Sequence, residues 1–186
     1  MNRLALSSLL AAAAVLAGCT TPGNGIYVKL EPTYEEASAS QFVGANREAV
    51  QRLVAGLDLK ALGTTPMLVA TVVNVNDLRK TAPLGRTLSE QYASQLAAQG
   101  LLVKELKLRG DIYVREETGE LMLSRELKDI AQIHSAAMVL VGTYSAAATS
   151  TFISLKLVRT DTGQIVRGHD YALPNNADVL KLLAQK

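Results

Sequence analysis

Met67-Leu-Val-Ala-Thr-Val-Val73 is an almost unbroken β-branched and apolar run. A strand with one wet face alternates polar and apolar residues. A run like this one reads as a strand buried on both faces, as in a parallel sheet covered by helices. Asn74-Val-Asn-Asp-Leu78 follows as its polar exit. Pro83 then pre-sets a helix first turn, where its missing N–H costs nothing. Leu84, Leu88, Tyr92 and Leu96 recur at i, i+4 as a buried stripe, and Gly100 ends the helix with a residue tolerant of left-handed geometry. Leu101 to Leu106 is the next strand. Strand, helix and strand with short joins make a βαβ unit, which is expected to cross over right-handed.

Upstream, Val43, Val50, Leu53, Val54 and Leu57 approximate the helical period from about Ser40, and Gly63 with Pro66 is expected to close that helix. Downstream, Glu117-Thr-Gly-Glu120 reads as a turn between two short extended pieces, Ile112–Val114 and Leu121–Leu123. Ser124 suits an N-cap for a helix carrying Leu127, Ile130, Ala131 and His134 on one face. Ala137–Val141 is a third buried strand. The final third alternates: Ile153, Leu155 and Leu157 fall on one face, Ser154 and Lys156 on the other, as in an antiparallel sheet packed on one side. Asp161-Thr-Gly163 is a hairpin turn into Ile165–Ala172, Pro174 stops that strand, and Asn176–Leu183 suits a terminal helix. The expected fold is α/β in the mixed α+β sense. It is a single domain with a sheet of about five or six strands, βαβ units first and an antiparallel hairpin last, with helices packed on it.

At the other end, Leu16-Ala17-Gly18-Cys19 follows the apolar run Leu4–Val15. This tetrapeptide resembles the lipobox of bacterial lipoproteins. The resemblance implies that the Cys19 thiol is diacylated, that the chain is cut before it, and that the new amine is acylated. The apolar segment is shorter than the roughly 20 residues that cross a bilayer, and Arg3, apolar core and small residues follow one another as in a secretory signal. The expected organisation is therefore a signal peptide over 1–18, a tether over 19–40 rich in Pro and Gly, and a folded domain over 41–186. Thr20, which is not aspartate, favours transfer to the outer membrane by resemblance to the proteobacterial sorting pattern. The expected location is the outer membrane, lipid-anchored, with the domain facing the periplasm.

Cys19 is the only cysteine, so neither an intrachain disulfide nor a cysteine-based metal site is available. The formal charge of +2 includes Arg3, so the domain behind Cys19 is close to neutral and has no basic field to attract nucleic acid. Two histidines give no zinc site and no Cys–His pair, and no serine sits in a G-x-S-x-G elbow. His134 is expected on an apolar helix face and His169 at the surface of the last strand. No catalytic residue, cofactor or metal is expected. The one residual candidate for ligand binding or interaction is Asn74, Asp77 and Arg86, where the first strand ends and the next helix begins. Open α/β sheets bind ligands at that edge, and a helix N-terminus attracts anions.

Pro66–Leu78, Pro83-Leu-Gly-Arg-Thr-Leu-Ser-Glu90, Leu123-Ser-Arg-Glu-Leu127, Val141-Gly-Thr-Tyr144 and the hairpin Leu157-Val-Arg-Thr-Asp-Thr-Gly-Gln164 together resemble the FlgO-type domain, over about Val50 to Tyr171. One departure is Ser135-Ala136-Ala137, where a Gly-Ala-acidic step would enter the third strand. Ser135 must then take the helix-ending geometry, or the turn differs. The resemblance implies a non-enzymatic outer-membrane lipoprotein with a periplasmic protein-interaction domain that supports flagellar assembly or motility, with basal-body components as partners. The other reading is a general envelope module for peptidoglycan or a secretion or pilus apparatus.

Overall fold

The run at Met67 forms the centre of the parallel half of a sheet. The computed structural model describes residues 31–58, 64–106, 113–115, 121–123 and 125–184, apart from the side chains of 113–115, 121–123 and 125–128. In it, strand β1 (Met67–Ala70) is buried along its whole length. Parallel neighbours flank it: β3 (Val103–Leu106) from Met67↔Val103 to Ala70↔Leu106, and β6 (Met138–Ala146) from Met67↔Met138 to Val69↔Leu140. The sheet continues antiparallel through β7 (Ser150–Arg159) to β8 (Ile165–Pro174), giving the order β3-β1-β6-β7-β8. By backbone contacts Tyr34–Lys186 forms one compact unit.

The strand is interrupted where the sequence reads as continuous. After Ala70 the backbone leaves the ladder for two residues, and only β2 (Val73–Asn74) rejoins it, against Thr143 and Tyr144 of β6. The cause is helix α3 (Pro83–Ala98), whose first turns reach the backbone of Val72. The Val72 N–H donates to Ser89 Oγ at 2.8 Å, and its carbonyl accepts from Thr81 Oγ1 at 2.7 Å. Both polar groups of a buried residue are thus satisfied outside the sheet, as burial requires.

Helix α3 follows the sequence reading closely. Leu84, Leu88, Tyr92 and Leu96 are all fully buried, each contributing about 1.5–3 kcal/mol of apolar burial. Gly100, at φ 86°, turns the chain into β3. The stripe meets Met67, Val69, Leu140, Ile153, Leu155 and Leu157 on one face of the sheet. Helix α2 (Gln41–Val54) and the terminal helix α5 (Ala177–Ala184) share that face through Val50, Leu53 and Val179. The opposite face carries Leu68, Val139, Val141 and Val158, covered by Ala131 of α4 (Arg125–Ile133) and by Ala136. From β1 the chain steps to β3 through α3, then back past β1 to β6 through α4. Crossovers of one hand stepping in opposite directions place their helices on opposite faces, as observed.

Helix α2 ends earlier than its periodicity implies. Ser40 caps it, its Oγ accepting from the Val43 N–H at 3.4 Å. The helix stops at Val54, and Gly56 takes φ 76° and turns the chain; Gly63 lies outside the described residues. A one-turn helix, α1 (Tyr34–Ser38), occupies part of the stretch read as tether. β4 (Tyr113–Arg115) and β5 (Leu121–Leu123) pair antiparallel, Tyr113↔Leu123 to Arg115↔Leu121. The Glu117–Glu120 turn, Ser124 as a cap and Cys19 lie outside the described residues.

Ser135 takes the helix-ending geometry, at φ 51°. The N–H of Ala136 bonds to Ala131 O at 2.9 Å and that of Ser135 to Gln132 O at 2.9 Å, closing α4 in the bond pattern normally built on glycine. An L-residue pays a steric penalty there that glycine does not. Ser135→Gly is therefore expected to stabilise the domain by about 0.5–1 kcal/mol, after glycine's own entropy loss, seen as a rise in melting temperature. A fall would show that the serine makes a contact worth more than the strain.

Candidate functional site

The corner chosen from sequence is a self-satisfied turn. Asn74 Oδ1 accepts from the Asn76 N–H at 2.8 Å, and the Asn74 N–H donates to Lys80 O at 2.8 Å. The Asp77 carboxylate accepts from the Arg79 N–H at 3.1 Å and pairs with Lys80 Nζ at 3.0 Å. The hydrogen bond from Lys80, then that from the Arg79 backbone, hold the Asp77 carboxyl below its usual range. The structure thus joins Asn74 and Asp77 in one turn. Arg86 is exposed on α3 and makes no hydrogen bond or ion pair to either of them. The start of α3 has no side-chain cap on Ala82; instead the Ala82 N–H donates to the hydroxyl of the buried Tyr144 at 2.9 Å.

A polar cluster that sequence reasoning missed lies beneath α2. Asn46 is fully buried, with Nδ2 donating to Gln91 Oε1 at 2.5 Å and Oδ1 accepting from the Tyr171 hydroxyl at 2.5 Å. Tyr171 is also hydrogen-bonded to the hydroxyl of the fully buried Tyr92. Four residues from α2, α3 and β8 thus close one network, and His169 stacks on Tyr171 with ring centroids 6.1 Å apart. The available signal was Asn46 itself, a polar residue in line with Phe42 and Val50 at i, i+4 spacing.

Burial raises both phenols of the pair, Tyr92 with a further push from the Tyr171 charge, while the bond from Tyr92 partly offsets the rise at Tyr171. Below about pH 10 the folded and unfolded chains hold the same phenol protons. Above it the unfolded chain releases them while the folded one retains them. Stability is then expected to fall by about 1.4 kcal/mol per pH unit for each tyrosine, until its folded-state value is reached. Denaturant melts from pH 9 to 12 read this slope, and Tyr92→Phe should flatten it; an unchanged slope contradicts the assignment.

The second open feature is the part of the sheet that α4 leaves uncovered. Phe152, Ser154 and Lys156 of β7 point to the face opposite α2 and α3, beside Asp170 and Ala172 of β8 and Thr143 and Ser145 of β6. Phe152 is 55% and nearby Val75 46% exposed. With Asp170 and Ala172 they line an open groove of about 540 Å³. No strand lies beyond β8 among the described residues.

Reactive chemistry has little material here. Among the described residues no three His, Cys, Asp or Glu side chains are grouped to hold a metal, and no helix is long and apolar enough to cross a membrane. His134 is half-buried in the turn after α4, and His169 half-buried on β8. What the arrangement presents is a sheet with one covered and one partly exposed face. The family described as FlgO protein matches residues 47–178, from the second turn of α2 to the start of α5. The chain belongs to the FlgO protein family. The FlgO-family match thus takes in the whole sheet and both crossovers.

No curated protein matches the chain. Among solved structures, this FlgO-family domain is similar to the C-terminal domain of LpoB from Salmonella enterica, with 17% identity and TM-score 0.52 over 72% of this chain and 98% of that one. The LpoB C-terminal domain from Escherichia coli has 18% identity and TM-score 0.49 over 72% and 98%. Lipoprotein GNA1162 from Neisseria meningitidis has 16% identity and TM-score 0.40 over 64% and 92%. At such identities the likeness to the Salmonella domain is one of fold.

Proposed function

We propose that this protein is a non-enzymatic outer-membrane lipoprotein whose FlgO-type domain faces the periplasm and acts by binding envelope proteins in support of flagellar assembly or motility. The family match over residues 47–178 carries the reading. The lipobox-like Leu16-Ala17-Gly18-Cys19 supports the anchor, with 1–18 removed and 19–40 acting as tether. Three acyl chains on Cys19, at about 0.8 kcal/mol per buried CH₂, make anchoring effectively permanent. The exposed sheet face and the β8 edge, beyond which no strand lies among the described residues, are surfaces suited to recognition. Asn74, Asp77 and Arg86 serve in this reading as a shaped corner of the interaction surface.

Deleting the protein is expected to impair swimming, and Cys19→Ala to do the same by releasing the domain from the membrane. Normal swimming of the deletion strain would refute the flagellar part alone. Recovery of peptidoglycan or of secretion or pilus components, in place of basal-body proteins, would favour a general envelope module.

A further inference from the structure

The outer edge of β8 has a defined set of hydrogen-bonding groups that no described strand takes up. The Asn175 N–H bonds to Thr149 O at 2.9 Å, in register with Ser150↔Pro174. Antiparallel pairs alternate between hydrogen-bonded and non-hydrogen-bonded. Thr151↔Leu173, Ile153↔Tyr171 and Leu155↔His169 are then the bonded pairs, and Phe152↔Ala172, Ser154↔Asp170 and Lys156↔Gly168 are not. The N–H and C=O groups of Gly168, Asp170 and Ala172 therefore point away from β7. Pro174 falls in the same phase, so the ring that cannot donate sits where no ladder bond is needed.

The side chains beside those groups form a graded surface on the exposed face. Ala172 leaves the exposed Phe152 ring open across it, next to Val75. Asp170 is exposed and has no ion-pair partner among the described residues. Gly168 has no side chain, so Lys156 behind it is open to a group roughly 9.6 Å away, two strand spacings. Lys156 also lacks an ion-pair partner among the described residues. Along the edge the surface is apolar, acidic, then basic, at every second residue.

We propose that β8 accepts an antiparallel strand from an envelope protein, with the pattern apolar-x-basic-x-acidic facing Ala172, Asp170 and Gly168 in turn. The inference rests on the reading of the domain as an envelope interaction module and names the chemistry of the partner segment. Backbone bonds to the outward-pointing groups hold the strand. The apolar residue lies over Ala172 against the Phe152 ring, the cation meets Asp170, and the anion reaches Lys156 across Gly168. Directly opposed charges in a sheet contribute up to about 1 kcal/mol, so the pattern sets which strand is taken and the backbone sets that one is.

The test uses the full chain and two capped heptapeptides, one alternating threonine with valine, lysine and glutamate in that pattern, the other with lysine and glutamate exchanged. The first is expected to bind and to slow amide exchange at Gly168, Asp170 and Ala172, and to change little at His169, Tyr171 and Leu173, whose N–H groups face β7. The exchanged peptide is expected to bind roughly fivefold or more weakly, with Asp170→Lys reversing the preference. Ala172→Pro removes one outward donor and is expected to abolish binding while the melting temperature stays near that of the parent. Equal binding of both peptides, binding without edge protection, or edge protection that appears with protein concentration and no peptide would each overturn the proposal, the last in favour of a second copy. Photo-crosslinking in cells separates the two levels. Adducts to envelope proteins through another face would remove this inference and leave the module reading standing, whereas no envelope adduct from any face would remove both.

Discussion

Gly85→Ala is expected to destabilise the domain by about 2 kcal/mol, although alanine is the better helix former. A Cβ at Gly85 would lie 2.1 Å from Val72 O and 2.2 Å from Thr81 Oγ1. The first of these is a backbone carbonyl that cannot swing aside. It is already held by the Thr81 hydroxyl, while the Val72 N–H is held by Ser89 one turn further along α3. Making room means lifting α3 off the break between β1 and β2, which loosens the packing of Leu84 and Leu88. Overpacking of this kind costs about 1–3 kcal/mol and occasionally more, against a gain of about 1 kcal/mol in helix propensity. In a domain of this size the melting temperature should fall by roughly 4–8 °C. Gly44, in α2, is the control: an added Cβ there meets nothing within 4 Å. Gly44→Ala is expected to stabilise by about 0.5–1 kcal/mol. Equal effects at the two glycines would contradict the close approach of α3 to Val72.

Asn46→Ala is expected to cost about 3 kcal/mol, more than its size implies. The change leaves the Tyr171 hydroxyl without its acceptor and Gln91 Oε1 without its donor, and opens a small cavity under α2. An unsatisfied buried group costs about 1–3 kcal/mol. Tyr92→Phe removes one bond of the network and keeps the ring, so about 1 kcal/mol is expected. The combination of Asn46→Ala with Tyr171→Phe should be less damaging than the sum of the two, by about 1 kcal/mol, because the second change removes the hydroxyl that the first strands. Chemical denaturation of the four proteins measures the coupling, and strict additivity would show that these groups do not act together.

The elements legible in the sequence were those whose burial follows a period. The run from Met67 and the stripe Leu84, Leu88, Tyr92 and Leu96 were readable because one element alone displays each pattern. The alternation of Ile153, Leu155 and Leu157 likewise revealed the one-sided hairpin. Features set by a second element were not readable. The break at Val72 depends on Ser89 and Thr81 arriving from the helix side, and the early end of α2 on Gly56 turning left-handed before the apolar period has run out. The Asn46–Tyr171 bond joins residues 125 positions apart, so neither neighbourhood betrays it. The corner at Asn74 and Asp77 was placed correctly at the end of a strand, but its polar atoms are spent largely on the turn itself. The graded edge of β8 needs the pairing register, which comes only with the fold.

Cofractionation with purified basal bodies tests the proposed role most directly. The protein, tagged at its C-terminus, is expected to be enriched with basal bodies over bulk outer membrane, and Cys19→Ala to abolish that enrichment. Recovery in bulk outer membrane alone, together with normal swimming of the deletion strain, would contradict a flagellar role.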